Sequence, residues 1–526
     1  MKSEGLFDHF RQDLSASIVV FFVAMPLCLG IALASGAPLF AGIIAGIVGG
    51  IVVGGASGSP LGVSGPAAGL AVIVFSAIAT LGSWEAFLLS VVIAGILQIL
   101  MGYLKLGIIA YYFPTSVIKG MLTGIGLIII LKQIPYALGF ITGAEGGITV
   151  ATFLNYITPG AVIISAISLT LLILWESVLM KKHRIFELIQ GPVFVVVLGI
   201  VLNQLFQADL LPFSLGSEQL VNIPVANSIN DFFGQFVLPD FSHFSNPNVY
   251  FTAVVIAVIA SLETLLCVEA ADKLDPYKRI TPTNRELKAQ GLGNFVSGLI
   301  GGLPITQVIV RSSTNITFGG RSKLSTILHG FFLLISALLI PQFLNMIPLA
   351  TLACILLVVG YKLAKPSLFK AMYDLGWKQF VPFVATVAGI LFTDLLQGIM
   401  IGMIVAVFYI LRGHYKNPYI LQKNTINDLD VTTINLAEEV SFLNKGSLLK
   451  ALKNLPKGTN VIIDASGTKH IDHDVIEVIR DFIVNSKNKE ILVKVDGLPV
   501  LEQVNKENDY QLIIEKDLSH YSEHKN

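Results

Sequence analysis

Long apolar runs separated by short polar connections fill the chain from about Leu14 to Leu411. Most of the runs have about 17 to 25 residues, which is enough to cross about 30 Å of hydrocarbon as a helix. The pattern therefore predicts an all-α polytopic membrane protein with fourteen transmembrane segments. The predicted spans are Asp13–Leu33, Pro38–Ala56, Pro66–Thr80, Glu85–Leu104, Tyr112–Leu131, Thr158–Met180, Ile189–Phe206, Val249–Asp272, Asn284–Ile300, Ser312–Gly319, Leu324–Gln342, Pro348–Lys362, Trp377–Thr393 and Asp394–Leu411.

The third and tenth spans are short, and each follows an extended run that contains Gly and Pro. Gly58–Pro66 precedes the third span, and Gly301–Arg311 precedes the tenth. The two occupy equivalent places if the chain repeats a unit of seven spans, and an odd unit inverts its copy across the membrane. Paired interrupted segments of this kind indicate a binding site near the bilayer midplane of a transporter. The sequence therefore predicts two half-helices that meet start to start.

Two facing helix starts favour an anion. Each start leaves about four free N–H groups and about half a positive charge. The small residues Ser64, Gly65 and Ala67 would let a ligand approach the backbone, and Arg311 and Ser312 would add side-chain donors. The alternative is that Gly and Pro here serve only the close packing of helices.

Basic residues cluster in the amino-terminal tail and after even-numbered spans. Such residues favour the cytoplasmic side of a membrane protein, so both termini are expected to be cytoplasmic. The other side carries Lys132 but mainly acids, namely Asp209, Glu218, Asp231 and Asp240. The basic clusters are Lys2 with Arg11, Lys105, Lys181 with Lys182 and Arg184, Lys273 with Lys278 and Arg279, Arg321 with Lys323, Lys362 with Lys365 and Lys370, and Arg412 with Lys416.

Composition agrees with a membrane protein. The 526 residues are 54% hydrophobic and 13% charged, against about 25% charged in soluble domains. The net charge is zero, and no basic stripe suggests a nucleic-acid partner. Cys28, Cys267 and Cys354 lie inside predicted spans without a paired Cys or His spacing, so neither a disulfide framework nor a metal site is predicted. No cofactor is expected.

Glu263 and Arg311 stand inside apolar sequence, where each charge costs about 2.5 to 3.5 kcal/mol on insertion scales. Glu263 and Cys267 are four residues apart and share a helix face. The functional interpretation of Glu263 is a coupling group that takes up and releases a proton as the site changes sides. The alternative is a fixed ion pair with Arg311 that only orients two helices. Cys267 is expected to be a small apolar filler rather than a nucleophile.

The chain after about Thr425 loses its apolar runs and alternates strand and helix patterns, which predicts a small α/β domain. Val431–Leu436, Asn460–Asp464 and Ile491–Val495 have the character of strands, and Gly446–Leu455 is helical. A second helix is predicted from the spacing of Val475, Ile476, Val478, Ile479, Phe482 and Ile483.

Several motifs, taken in order, resemble the sulfate permease (SulP) family. They are Ser64-Gly-Pro66, Glu263-Thr-Leu-Leu-Cys267, Pro282-Thr-Asn-Arg-Glu-Leu, Gln290-Gly-Leu-Gly-Asn294, Gly301-Gly-Leu-Pro304 and Arg311-Ser-Ser-Thr-Asn315. The resemblance implies a 7+7 inverted repeat with UraA-like core and gate domains, a homodimer, and anion transport by movement of the core against the gate.

The resemblance also implies a domain plan and a site. Residues 1–413 would form the transporter, with spans 1–4 and 8–11 as core and spans 5–7 and 12–14 as gate. Residues 414–424 would be a linker, and residues 425–526 a cytoplasmic STAS domain. The substrate-binding residues carried over are Phe22, Met25, Ser64, Gly65, Pro66, Ala67, Val310, Arg311 and Ser312, with Glu263 and Cys267 as coupling residues.

Departures from the family pattern refine these expectations. Some bicarbonate-transporting relatives that look sodium-coupled have Asp and Thr where this chain has Glu263 and Cys267, so proton symport is favoured over sodium coupling. In anti-sigma antagonists that resemble the STAS domain, a phosphorylatable Ser follows the Asp that corresponds to Asp472. Here His473 and Asp474 follow, which disfavours a phosphoswitch, and His473 is expected to be a solvated loop residue rather than a pH sensor.

The expected function is proton-coupled secondary transport of sulfate, bicarbonate or a dicarboxylate across the cell (inner) membrane. A regulatory protein could bind the STAS domain. The alternatives are an uncoupled anion channel or conformational sensor on the same fold, and a sodium-coupled bicarbonate transporter. A membrane enzyme is disfavoured because the sequence shows no nucleophile and base arrangement, metal cluster or phosphate loop.

Overall fold

The computed structural model describes residues 6–140, 157–182, 190–208, 213–226, 228–393, 395–416, 419–426 and 429–498. The chain forms two compact units, Met1–Met403 and Ile404–Asn526. Lys2, Arg184 and Asp209, which enter the orientation argument, lie outside the described residues, as do residues 499–526 of the predicted STAS domain.

The first unit is built from helices, and each predicted span coincides with one of them. Among the described residues, eight helices are long and apolar enough to cross a membrane. In chain order the helices that correspond to the predicted spans are α1 (Phe10–Ala34), α2 (Leu39–Ala56), α3 (Ala68–Leu81), α4 (Trp84–Tyr103), α5 (Thr115–Ala137), α6 (Pro159–Leu179), α7 (Gly191–Gln207), α8 (Pro247–Leu274), α9 (Thr283–Leu299), α10 (Ile309–Thr317), α11 (Leu324–Leu339), α12 (Leu349–Leu363), α13 (Trp377–Phe392) and α14 (Leu395–Lys416).

Two short strands interrupt this helical unit. β1 (Ser64–Pro66) and β2 (Ile305–Gln307) lie just before α3 and α10 and pair with each other. Pro66 therefore belongs to a strand rather than to the third span, where the sequence placed it. The Val308 N–H donates to Val63 O at 2.9 Å, which closes the strand pair at one end.

The tenth helix begins three residues earlier than the predicted Ser312. The extended backbone ends at Val308, whose carbonyl accepts the Ser312 N–H at 3.0 Å. Arg311 therefore lies in the first turn of α10, whereas the sequence pattern predicts it at the end of the extended run. The cause is β2, because its pairing with β1 ends at Gln307 and frees the next residues to turn into a helix.

Proline sets two other boundaries that the apolar pattern missed. α5 begins at Thr115, after Pro114 in an extended conformation, and a separate 3-10 helix covers Leu106–Tyr112. α11 ends at Leu339, and Pro341 starts a short helix, Pro341–Leu344. A proline cannot continue a helix from the preceding turn without losing a hydrogen bond, so each proline opens a new segment.

Helix pairs in this unit pack through small residues. α9 packs along α4, and α12 packs along α5. A Cβ atom added to Gly291 would lie 2.7 Å from the Gly95 carbonyl oxygen, and one added to Gly126 would lie 2.6 Å from the Gly360 carbonyl oxygen. The backbones touch at these crossings, as is common where helices pack in a membrane.

The second unit contains the predicted α/β region. Its four-stranded sheet has the order β3–β4–β6–β8, in which β3 and β4 are antiparallel and the other neighbours are parallel. β5 and β7 form a separate parallel pair. The elements are β3 (Tyr419–Ile426), β4 (Leu429–Leu436), β5 (Glu439–Val440), α15 (Lys445–Lys453), β6 (Asn460–Asp464), β7 (His470–Ile471), α16 (His473–Ser486) and β8 (Leu492–Asp496).

Apolar side chains from both helices and the central strands fill the core of this unit. Leu448 and Val475 are completely buried against Ile434 and Ile463. The predicted linker 414–424 has regular structure wherever it is described, because α14 runs to Lys416 and β3 begins at Tyr419. β3 is held by its partner β4, and pairing of this kind leaves no mark on local composition.

Candidate functional site

The two interrupted segments cross each other as an antiparallel strand pair. Ser64 pairs with Gln307, Gly65 with Thr306, and Pro66 with Ile305. Because the strands run in opposite directions, α3 begins at one end of the pair and α10 begins at the other. Three residues of strand extend about 7 Å to 10 Å, and residues of both helix starts, Ala68 and Ile309, line one cavity. The two helix starts therefore lie close together.

Helix α8 lies across both starts. The Gly69 N–H, in the first turn of α3, donates to the Glu263 carboxylate. One helical turn later, the Ile309 N–H of α10 donates to the Cys267 thiol. A turn of helix rises about 5.4 Å, which is comparable with the length of the strand pair. Successive turns of one helix face thus meet the free amides of two half-helices.

A cavity of about 240 Å³ opens beside these groups. Its walls come from α1, α3, α8 and α10 on one side and from α5 and α12 on the other. Among the described residues that line it, Glu263 is the one charged side chain. The lining residues are Leu27, Ile31, Ala67, Ala68, Gly69, Leu122, Glu263, Leu266, Cys267, Ala270, Val308, Ile309, Val310, Leu356, Val359 and Leu363.

Four of the residues predicted from the sequence line this cavity. They are Ala67, Val310, Glu263 and Cys267. Glu263 is held close to the chain of α3, because a Cβ atom added to Gly69 would lie 2.5 Å from Glu263 Oε2. That oxygen makes no hydrogen bond to the protein. The carboxylate therefore has one acceptor position open.

The other predicted residues lie behind or beside the cavity. Ser64, Gly65 and Pro66 are buried in β1. Met25 is buried on α1, and Phe22 is 41% exposed. None of these residues lines the cavity.

The Ser312 hydroxyl, also predicted to bind substrate, has protein partners. It accepts the Val63 N–H at 3.0 Å and donates to Val308 O at 2.9 Å. Ser312 thus ties the first turn of α10 to the segment that leads into β1.

Arg311 is completely buried, and its guanidinium contacts α1 and β1 rather than Glu263. Its Nη2 donates to Cys28 Sγ at 3.3 Å and to Pro66 O at 3.5 Å, while Nε and Nη1 make no hydrogen bond to the protein. Gly65 makes room for it, because a Cβ atom there would lie 2.2 Å from Nη1. The alternative of a fixed Glu263–Arg311 ion pair is not what this structure contains. The guanidinium lies behind the two helix starts.

A polar face of α9 holds the broken segments in place. Glu286 accepts the Ser57 hydroxyl at 2.5 Å, and Gln290 Nε2 donates to Ser64 Oγ at 2.7 Å. The Asn294 amide exchanges two hydrogen bonds with the backbone of Ile305. Extended backbone inside a membrane needs such partners, since water does not supply them. This role is not part of the motif resemblance, although Glu286, Gln290 and Asn294 recur at the spacing of one helix face.

Sequence reasoning also missed most of the cavity wall. Gly69 and Ile309 supply the amides that meet α8. Their positions in the first turns of two interrupted helices were a usable signal. Leu122, Leu356 and Val359 come from α5 and α12, and an apolar residue in an apolar span carries no sequence signal of this kind.

Comparison with known proteins agrees with the motif resemblance. A sequence model of the Sulfate permease family matches residues 10–386. The Bicarbonate transporter BicA of Picosynechococcus is 27% identical over 454 residues, covering 84% of this chain and 77% of that protein.

Two solved structures show the same fold. The transmembrane domain of a cyanobacterium bicarbonate transporter, BicA, superposes with a TM-score of 0.63 at 23% identity, covering 76% of this chain and 98% of that one. Murine Solute Carrier 26 family member A9 in the inward-facing state gives a TM-score of 0.76 at 15% identity, covering 97% of this chain and 89% of that one. The prediction of a mainly helical, multi-span membrane protein with a C-terminal α/β region is confirmed.

Proposed function

Because the chain belongs to the sulfate permease family, we propose that it is a secondary active transporter that carries a small anion together with a proton. The expectation of a transporter rather than an enzyme agrees with the family, which is one of transporters. The candidate substrates are sulfate, bicarbonate and dicarboxylates. BicA, a relative over most of the chain, is a bicarbonate transporter by name.

One observation carries the proposal. Glu263 is the charged group in a cavity of otherwise uncharged lining residues, and it lies where two helix starts converge. The positive ends of α3 and α10 favour an anion at this place. While Glu263 is ionised, its own carboxylate is that anion.

Coupling follows from competition for the helix starts. A proton on Glu263 removes its negative charge and leaves the Gly69 amide for a substrate anion. Proton and substrate therefore bind with positive cooperativity, and by linkage each raises the affinity for the other by the same factor. The buried Arg311 guanidinium adds positive potential from behind β1. This positive potential attracts the anion through the strand pair, whether or not Arg311 also contacts the anion directly.

The remaining parts of the proposal concern architecture. We infer fourteen spans in a 7+7 inverted repeat, with core spans 1–4 and 8–11, gate spans 5–7 and 12–14, and a homodimer in the inner membrane with both termini cytoplasmic. The inverted pairing of β1 with β2 supports this repeat. The α/β unit has the strand and helix order predicted for a STAS domain, and a regulatory protein is its proposed partner.

Uptake of radiolabelled sulfate, bicarbonate and fumarate into proteoliposomes tests the function. An inward proton gradient should accelerate uptake of one of these anions, and Glu263→Gln should abolish the acceleration. Glu269→Gln is the matched control, since Glu269 lies on the same helix but is exposed and pairs with Lys273. Uptake that follows a sodium gradient would replace proton coupling by sodium coupling. Uptake that ignores both gradients would favour a channel.

A further inference from the structure

A second cavity of about 410 Å³ lies further along α3 and α8, towards the predicted outer face. We call it the outer vestibule. It shares α3, α5 and α8 with the first cavity but uses the opposite part of each helix. Its described polar lining residues carry hydroxyl and amide groups. They are Ser76, Thr80, Asn248, Thr252, Thr393 and Gln397.

A layer of buried apolar side chains separates the two cavities. On α5, Leu122 lines the first cavity and Ile128 lines the vestibule, while Ile125 between them has no exposed surface. On α8, Ile256 and Ile259 lie between the two sets of lining residues and are buried. The two cavities are therefore separate and lie one after the other along the same helices.

Lys132 is not a lining residue of the vestibule but lies just beyond the lining residue Ile128 on α5. It follows Ile128 by one helical turn on α5 and so lies on the same helix face. Its Nζ is 3.1 Å from the centre of the Phe75 ring, and Phe75 immediately precedes the lining residue Ser76. This cation–π contact joins α5 to α3 and fixes where the ammonium group stands.

From this geometry we propose that Lys132 is a specificity-determining residue, which draws the substrate anion into the outer vestibule. A charge at the mouth of a cleft with low-dielectric walls raises the local concentration of oppositely charged ligands. The outer connections otherwise carry mainly acids, such as Glu218, Asp231 and Asp240, so Lys132 offsets their repulsion at the entry point. Phe75 is its positioning residue. This inference rests on the proposed transport of anions and on the proposed orientation.

The first test measures the electrostatic potential of the vestibule without any transport. A Ser76→Cys protein is treated from outside with membrane-impermeant methanethiosulfonates, one anionic and one cationic. Unaltered protein serves as the blank for the native cysteines. Adding Lys132→Gln should lower the ratio of the anionic to the cationic rate by at least about fivefold, the effect of one unit charge at about 4 Å in water. A ratio that stays unchanged, or an introduced thiol that does not react from outside, overturns the proposal.

The second test uses substrate uptake. Lys132→Gln should raise the external KM about fivefold with the maximal rate unchanged, and should weaken the dependence of KM on ionic strength. Lys132→Arg should restore the wild-type KM, and Phe75→Leu should give an intermediate value. Lys119→Gln is the matched control, since it lies on the same helix about 20 Å away. Uptake by the wild-type protein tests the proposed function by itself. A failure of the proposed function is therefore distinguished from a failure of the proposal for Lys132.

Asp394 adjoins Thr393 in the sequence and lies outside the described residues. A comparison of Lys132→Gln in proteins with and without Asp394→Asn therefore separates two explanations of the KM change. If Lys132 acts on the substrate, Lys132→Gln raises KM equally with and without Asp394→Asn. If the effect disappears in the Asp394→Asn protein, Lys132 acts by neutralising Asp394, and the proposal is wrong.

Discussion

Replacement of Gly69 by Ala tests whether the contact between α3 and Glu263 controls transport. The new Cβ atom would lie 2.5 Å from Glu263 Oε2 and 2.6 Å from Oε1. Comfortable contacts are about 3.5 Å, so the carboxylate must move by about 1 Å. The backbone itself accepts Ala, because position 69 is in the first turn of a helix, where Ala is about 1 kcal/mol more favourable than Gly. We therefore expect a folded protein with a displaced Glu263.

The size of the effect follows from the lost interaction. A hydrogen bond to a charged group contributes about 1.5 to 3 kcal/mol. Displacement of Glu263 from the Gly69 N–H should therefore lower the rate of substrate exchange by about 10-fold to 100-fold. Exchange of labelled for unlabelled anion in proteoliposomes is the assay, since it needs no proton gradient. Gly55→Ala is the control, because a Cβ atom there meets nothing within 4 Å.

A double mutant decides whether the effect passes through Glu263. In a Glu263→Ala background the added methyl group no longer meets a carboxylate, so Gly69→Ala should have no further effect on exchange. If Gly69→Ala reduced exchange equally in both backgrounds, it would act on the helix start directly, and the assignment of Glu263 would lose its support.

Three further outcomes are expected. Glu286→Ala removes the acceptor of the Ser57 and Gln290 donors and should cost about 3 kcal/mol of stability, seen as a lower Tm in detergent, while Glu286→Gln should cost less. Burial raises the pKa of Asp275, but hydrogen bonds from Arg279 outweigh it and keep this pKa below its usual value. The ionised Asp275 therefore stabilises the fold above about pH 4, and this stabilisation is lost as the pH falls through the lowered pKa. Asp275→Asn should flatten the dependence of Tm on pH in this range. Ile463→Ala empties a fully buried position and should cost about 2 to 5 kcal/mol, seen as faster hydrogen exchange in β6 and β8.

The half-helices could be predicted from the sequence because residues at the break itself determine where each helix is interrupted. Gly and Pro inside apolar runs disfavour a continuous helix, and they recur at equivalent places in the chain. The spacing of Glu263 and Cys267 placed both on one helix face. The structure adds that this face meets the Gly69 and Ile309 amides. Which amides these are depends on the packing of distant helices.

The direction of Arg311 could not be predicted for the same reason. A guanidinium in the first turn of α10 can turn towards the cavity or away from it. Here it turns towards Cys28, which is 283 residues earlier in the chain, and Gly65 leaves the space for it. Nothing within α10 itself distinguishes the two directions. Arg311 as a direct substrate ligand therefore stays a prediction, and Arg311→Lys with unchanged anion affinity would argue against it.

The polar face of α9 constrains how the site can move. Gln290 binds Ser64 next to the start of α3, and Asn294 binds Ile305 in the strand that leads to α10. Both helix starts are thus attached to one helix.

The opposite wall of the first cavity, which includes Leu122 and Leu356, offers only apolar surface. Apolar surfaces can slide past each other without breaking hydrogen bonds, whereas separating α3 from α9 would leave several buried donors and acceptors unpaired at about 1 to 3 kcal/mol each. Any alternating access should therefore carry α3, α8, α9 and α10 together past α5 and α12. A cross-link between α9 and β1 should leave transport intact, whereas a cross-link between α8 and α12 should stop it.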